Sequence, residues 1–229
     1  MRIKRTIATI ITLLFALHIH GQAFLTNGLV AYYPFNSNAN DLSGHNNNGI
    51  VVGATLTTNR FGTPNSAYSF AGNGTTYISI PDSPSLDMTN SVTVTAWIRT
   101  TGGGSFAPRI VSKRVYQLDL SDTTSSPQVL FALDGLTRAI SSPVSLGQNN
   151  WLFVAGTYDG SALRVYTNGA SAGQVSLPGS IGVNTEPVGI GENLDDYSDF
   201  VNGQIDDVRI YNRALSASER SLAWQPAFP

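Results

Sequence analysis

The chain has 229 residues, a formal charge of −2, 12% charged residues and no cysteine. Without thiols there are no disulfides, no cysteine nucleophiles and no thiolate zinc sites. The weak negative charge argues against nucleic acid, which needs a basic footprint, and gives no reason to expect an anionic membrane partner.

The first segment reads as a secretory leader over residues 1–23. Arg2, Lys4 and Arg5 form a basic start, Ile7 to Leu17 is mostly apolar, and Gly21 and Ala23 offer small residues for cleavage. The apolar run is too short to span a bilayer comfortably, and no other stretch approaches that length. The expected product is secreted, extracellular or at the cell surface, with a periplasmic location also open. His18 and His20 fall in the leader, so His45 is the one histidine beyond it. Any metal would be a hard cation held by oxygen.

Beyond the leader, apolar residues alternate with period two and turn residues punctuate them. "GLVAYYPF" (28–35) puts Leu29, Ala31, Tyr33 and Phe35 on one face. "AYSFAG" and "YISI" follow. "SVTVTAWIRT" (91–100) sends Val92, Val94, Ala96 and Ile98 one way, and Thr93, Thr95, Trp97 and Arg99 the other. "RIVSK", "VYQLDL" and "QVLFALDG" continue the pattern. Residues 151–177 read as three antiparallel strands turned at Asp159-Gly160 and Asn168-Gly169, dipeptides that supply positive φ angles. "PVGIG" and "GQIDDVRIY" complete the set. One helix is expected, at "LSASERSLA", where Ser216 and Glu219 form a capping box. The fold class is all-β: a two-sheet antiparallel jelly-roll sandwich of about twelve or more strands with one short C-terminal helix. One domain occupies 24–229.

These residues resemble a known family. "NGLVAYYPFNSNANDLSGHNNNGIVVGATLTTNRFGTPNSAYSFAGNGTTYISIP", "VTVTAWIRT", "WLFVAGTYDGSALRVYTNG" and "GQIDDVRIYNRALSASE" are similar to LamG-like jelly-roll domains of the concanavalin A-like lectin/glucanase superfamily. The resemblance implies an extracellular binding module that takes a glycan or a protein, often with a structural calcium near the rim of the sandwich. It also implies that the polar loop packs near the closing strand.

Two readings stand for "DLSGHNNNG" (41–49). Asp41 supplies a carboxylate, Asn46 and Asn48 supply amides, and Gly44 and Gly49 permit unusual backbone angles, so a loose calcium loop is one. It is not an EF-hand, whose sixth position needs glycine and whose twelfth needs glutamate. The other reading is a pair of Asx turns. Asp206 shares a strand face with Val208 and Ile210, so alternation points it inward, as a cation ligand or as an acceptor of backbone N–H groups. Asp207 reads as an exposed partner of Arg209. With the resemblance, Asp41 and Asp206 are expected to share one calcium ion.

For a glycan, Tyr116, Tyr197 and Asp195 are the candidates. Tyr197 and Asp195 lie in the acidic stretch "GENLDDYSDF" (191–200), whose bland reading is a hydrated loop. Trp97 and Trp151 read as packing. Catalysis is not expected. Retaining glycosidases pair carboxylates about 5–5.5 Å apart, and the E-x-D-x-x-E arrangement of the jelly-roll glucanases does not occur. Asp119 and Asp122 are the remaining pair, three apart on opposite strand faces. The rival to a carbohydrate-binding module is an adhesive or structural domain that binds an extracellular protein.

Overall fold

The computed structural model describes residues 25–104, 107–121, 126–135, 137–146 and 150–224. The expected leader over 1–23 lies outside them, as does Asp122. Two antiparallel sheets form the sandwich. The first runs β13 (Ala170–Ser176), β12 (Ala162–Thr167), β11 (Leu152–Tyr158), β6 (Val92–Gly104), β15 (Val201–Tyr211), β4 (Ala67–Ala71) and β3 (Thr55–Thr57), with β1 (Leu29–Tyr33) also paired to β15. The second runs β10 (Thr137–Ile140), β9 (Gln128–Leu133), β8 (Tyr116–Ser121), β7 (Arg109–Lys113), β14 (Val188–Ile190), β5 (Tyr77–Ile80) and β2 (Ile50–Val52).

Alternation explains the core. Val92, Val94, Ala96 and Ile98 of β6 are buried with Leu118, Leu120, Val129 and Phe131 of the facing sheet. The hairpin β12–β13 turns at Asn168 and Gly169, which have φ of 47° and 78°. Two positive φ angles in a row suit the right-handed twist of the flanking strands. The β11–β12 turn works differently. Asp159 Oδ1 accepts the N–H groups of Ser161 and Ala162 at 3.0 and 2.9 Å, so a side chain organises that loop. Helix α1 (Ala217–Trp224) starts as expected: Glu219 accepts the Ser216 N–H at 2.7 Å and donates its own N–H to Ser216 Oγ. Trp224, in its last turn, lies over Gly169.

Helix α1 packs on the outer face of the first sheet. There Ala223 joins Phe153, Ala155 and Tyr166, with Leu25 and Trp97 alongside. The same face is shaped by an irregularity in β15. One edge of β15 pairs with β6; the other pairs with β4 up to Ile205 and with β1 from Val208. At the changeover the register slips between Asp206 and Arg209, and Asp207 adopts φ of 50°. This is a β-bulge, which re-aims the side chains it interrupts.

Candidate functional site

The polar loop is a network of turns. Asp41 Oδ1 accepts the N–H groups of Tyr32 and Ser43 at 2.9 and 2.8 Å, and Oδ2 accepts the Asn47 N–H and the Ser43 hydroxyl at 3.0 and 2.8 Å. Asn48 Oδ1 accepts the Asp41 N–H. Asn46 takes φ of 61° and Gly44 φ of 94°, which bends the chain back to deliver those donors. The structural anchor is Asn47, which sequence reading passed over. It is buried; its Nδ2 donates to the Val30 carbonyl and to Ser85 Oγ, and its own carbonyl accepts the Tyr33 hydroxyl.

Asp206 is elsewhere. Both main-chain groups of Tyr32 point toward the Asp41 loop and away from β15, so β1 stands between the two carboxylates. Asp206 is instead paired with Arg60 at 2.5 Å, and Asp207 with the same guanidinium at 2.8 Å. The expectation that Asp41 and Asp206 share an ion is therefore corrected, and Asp41, Asn46, Asn48 and Asp206 do not fit one calcium site as arranged. Among the described residues no cluster of three or more histidines or carboxylates gathers as a metal site. The Asp41 carboxylate already accepts four hydrogen bonds and the Asn48 amide oxygen one, so the loop is expected to hold its shape without a cation. Excess chelator is expected to leave the melting temperature unchanged; a fall of several degrees, reversed by calcium, would overturn this.

The bulge also corrects the reading of Asp207. It is buried, not exposed, and touches Arg209 at 2.9 Å as well as Arg60. Two carboxylates thus meet one buried guanidinium. Burial pushes Asp206 up to about 7 against the pull of Arg60, with the nearby Asp207 adding to the rise.

The three expected ligand residues do not come together. Tyr116 is fully buried, its hydroxyl donating to the Leu86 carbonyl at 3.3 Å, and burial holds its phenol above the usual range. It is a core residue, because its strand faces the other sheet. Tyr197 is 63% exposed and sets its ring edge-on to Tyr77 at 6.4 Å. Asp195 beside it is exposed, with its carboxyl raised by desolvation and by Glu186. Their loop is tied down by Asn193 Nδ2 on Asp196 and by Arg109 on Asp199 at 3.2 Å. Asp119 is buried and bound by Arg109 as well.

A different constellation does converge. A cleft of about 570 Å³ opens on the outer face of the first sheet, lined by Arg60, Phe61, Trp97, Trp151, Asn150 and Asn168 together with Ser145 and Leu152. Strand register builds its floor. Trp97 lies level with Phe153 and Asp206 across β11, β6 and β15, and the next row along β6 holds Arg99 level with Gln204. The Arg60 guanidinium lies 4.3 Å from the Phe61 ring centre and 4.7 Å from that of Trp97. Phe61 is 51% exposed, and Trp97 and Trp151 are half-buried. The indole N–H of Trp97 and the Nε–H of Arg60 have no hydrogen-bond partner among the described residues. Asn59 aims Phe61 by accepting the N–H groups of Phe61 and Thr63, each at 3.0 Å. A concave surface with aromatic rings and a few convergent polar groups is the usual form of a small-ligand site.

The chain matches the model of the concanavalin A-like lectin/glucanases superfamily over residues 72–219. No curated protein matches it by sequence. Three solved structures share its fold. The binding domain of Paraclostridial Mosquitocidal Protein 1 is 20% identical with a TM-score of 0.68, over 87% of this chain and 52% of that one. Domain 4 of AbnA, an extracellular arabinanase from Geobacillus stearothermophilus solved with arabinotriose, is 19% identical with a TM-score of 0.61, over 86% of this chain and 98% of that one. The binding domain of botulinum neurotoxin DC, solved with SialylT, is 14% identical with a TM-score of 0.66, over 87% of this chain and 52% of that one. This chain spans about half the length of the two toxin binding domains.

Proposed function

We propose that this chain, which belongs to the concanavalin A-like lectin/glucanases superfamily, is a secreted, non-catalytic module that binds carbohydrate in the Trp97–Trp151 cleft. The cleft itself carries this reading. Sugars present flat C–H faces that stack on aromatic rings and hydroxyl groups that pair with amides. Phe61, Trp97 and Trp151 supply the rings; Asn150 and Asn168, both exposed, supply amides. The buried N–H groups of Trp97 and Arg60 have no acceptor among the described residues, which leaves polar capacity unspent beneath the rings. The arabinotriose and SialylT complexes of two fold relatives lend support at the level of ligand class. The carboxylates Asp119, Asp206 and Asp207 are each held by arginine, which suits a binding surface better than an acid–base pair.

Trp151 sits at the cleft edge, half-buried, immediately before β11. Trp151→Ala should weaken retention on polysaccharide about tenfold, which is about 1.4 kcal/mol of lost contact. The measurement is depletion of the protein by a panel of soluble and insoluble polysaccharides, with thermal melting as the check on folding. Retention on none of the panel would favour a protein partner instead.

A further inference from the structure

The outer face of the first sheet is unlike the rest of the molecule in charge. Among the described residues six arginines stand on or over it (Arg60, Arg99, Arg164, Arg209, Arg213 and Arg220) and four carboxylates pair with them, in a chain whose formal charge is −2. Five of the six stack on aromatic rings. Stacking fixes a guanidinium as a flat, weakly hydrated donor surface.

Most of these cations are already neutralised. Arg60 meets Asp206 and Asp207, Arg164 meets Asp159, Arg209 meets Asp207, and Arg213 meets Glu219. Arg99 and Arg220 have no carboxylate at salt-bridge distance among the described residues. Arg220 donates Nη1 to the Leu215 carbonyl and stacks at 3.8 Å on Tyr166, on the part of the face that helix α1 covers. Arg99 is the one that stacks on a lining residue of the cleft, Trp151. It follows Trp97 by two residues on the same strand face, and its guanidinium lies 5.1 Å from the ring centre of Trp151. Gln204 Oε1 accepts both its Nε–H and an Nη2–H, with Nε at 2.9 Å. That grip holds the plane of the group while spending one edge of it on a neutral acceptor. Among the described residues Nη1 has no hydrogen-bond partner, and the side chain is half-buried beside Trp151.

We propose that the saccharide taken up by this cleft is acidic, with its carboxylate or sulfate group received by Arg99. The inference rests on the carbohydrate reading above and adds the ligand's charge. A pre-oriented guanidinium without a counter-ion matches an oxyanion in shape and sign. The neutralised Arg60 beneath Trp97 does not compete for that anion.

The test is binding of the whole protein to matched polymers: polygalacturonate, a sulfated galactan, a neutral galactan and neutral arabinan. At least one acidic polymer should bind tenfold or more tightly than the neutral ones and lose affinity as sodium chloride rises. Which acidic polymer does so tells carboxylate from sulfate. Arg99→Gln should remove most of that preference, lowering acidic-polymer affinity by a much larger factor than neutral-polymer affinity, with the melting curve as the check on folding. Arg164→Gln, which deletes the same charge from the same face away from the cleft, should bind like wild type. Equal binding of neutral and acidic polymers, or equal losses in the two variants, would overturn the proposal and leave the carbohydrate reading standing. Retention on no polymer would overturn both.

Discussion

Arg60→Ala should lower stability by about 3–5 kcal/mol, because removing one partner of a buried ion pair strands the remaining charge. Here Asp206 is the one stranded, since Asp207 keeps Arg209 at 2.9 Å. Asp206 and Asp207 are 1% and 6% exposed, and Arg60 is their shared counter-ion. For a domain of this size the loss corresponds to a fall in melting temperature of roughly 8–15 °C. The variant also removes the group stacked between Phe61 and Trp97, so the cleft should lose part of its lining in the same step. The deficit should shrink at acid pH, where the stranded carboxylate takes up a proton. A second variant separates charge from packing: Arg60→Met with Asp206→Asn removes that ion pair, leaves Asp207 on Arg209, and should recover most of the stability. Melting curves at pH 5 and pH 8 read both effects. Equal melting temperatures for wild type and Arg60→Ala at pH 8 would show that the pair is not a structural charge cluster.

Glu192→Gln should have the opposite sign. Glu192 is fully covered, yet neither carboxylate oxygen has a hydrogen-bond partner among the described residues. Burial alone raises its carboxyl from 4.5 to about 7. Between those values the folded protein keeps a proton that the unfolded chain has released. Stability from this group is therefore complete below about pH 4.5 and is lost as pH rises through 7. The group lies close to the molecular surface, so a discounted penalty of roughly 1–2 kcal/mol at pH 8 is expected. Glutamine keeps the shape and cannot ionise. The variant should melt higher than wild type at pH 8, match it at pH 4.5, and show a flatter pH profile between. A variant profile parallel to that of wild type would place the titration elsewhere.

Much of the sandwich was readable from local pattern. The β6 alternation, the three strands after Trp151 and the Ser216–Glu219 box each depend on neighbours within a few residues, and each is as expected. Strands β2, β3 and β10 were not read, since they are three or four residues long and mostly exposed. The site was harder for a physical reason. Period-two reasoning assumes an unbroken strand, and β15 breaks at Asp207 where its neighbour changes from β4 to β1. That single positive φ turned an expected inward Asp206 and outward Asp207 into two ligands of one arginine. Arg60 itself is about 146 residues from its partner in sequence, a pairing no window can display. Trp97 did carry a signal: it alternates with the core set of β6 on the side of Thr93, Thr95 and Arg99. Treating every tryptophan as packing discarded it.

The pairing of β1 with β15 has a mechanical consequence. Leu29 stands opposite Tyr211, and the Asn212 N–H donates to the Gly28 carbonyl at 2.8 Å, so the first and last strands begin and end at one corner. Tension applied across the two ends would first lift α1 from the face it covers. It would then open the β1–β15 pair bond by bond, in the manner of a zip, since the antiparallel ends lie side by side rather than in series. A module loaded that way gives at low force. Held from one end only, as at the tip of a tether, the same sandwich carries no load at all, and the cleft keeps its shape while the tether bears the pull.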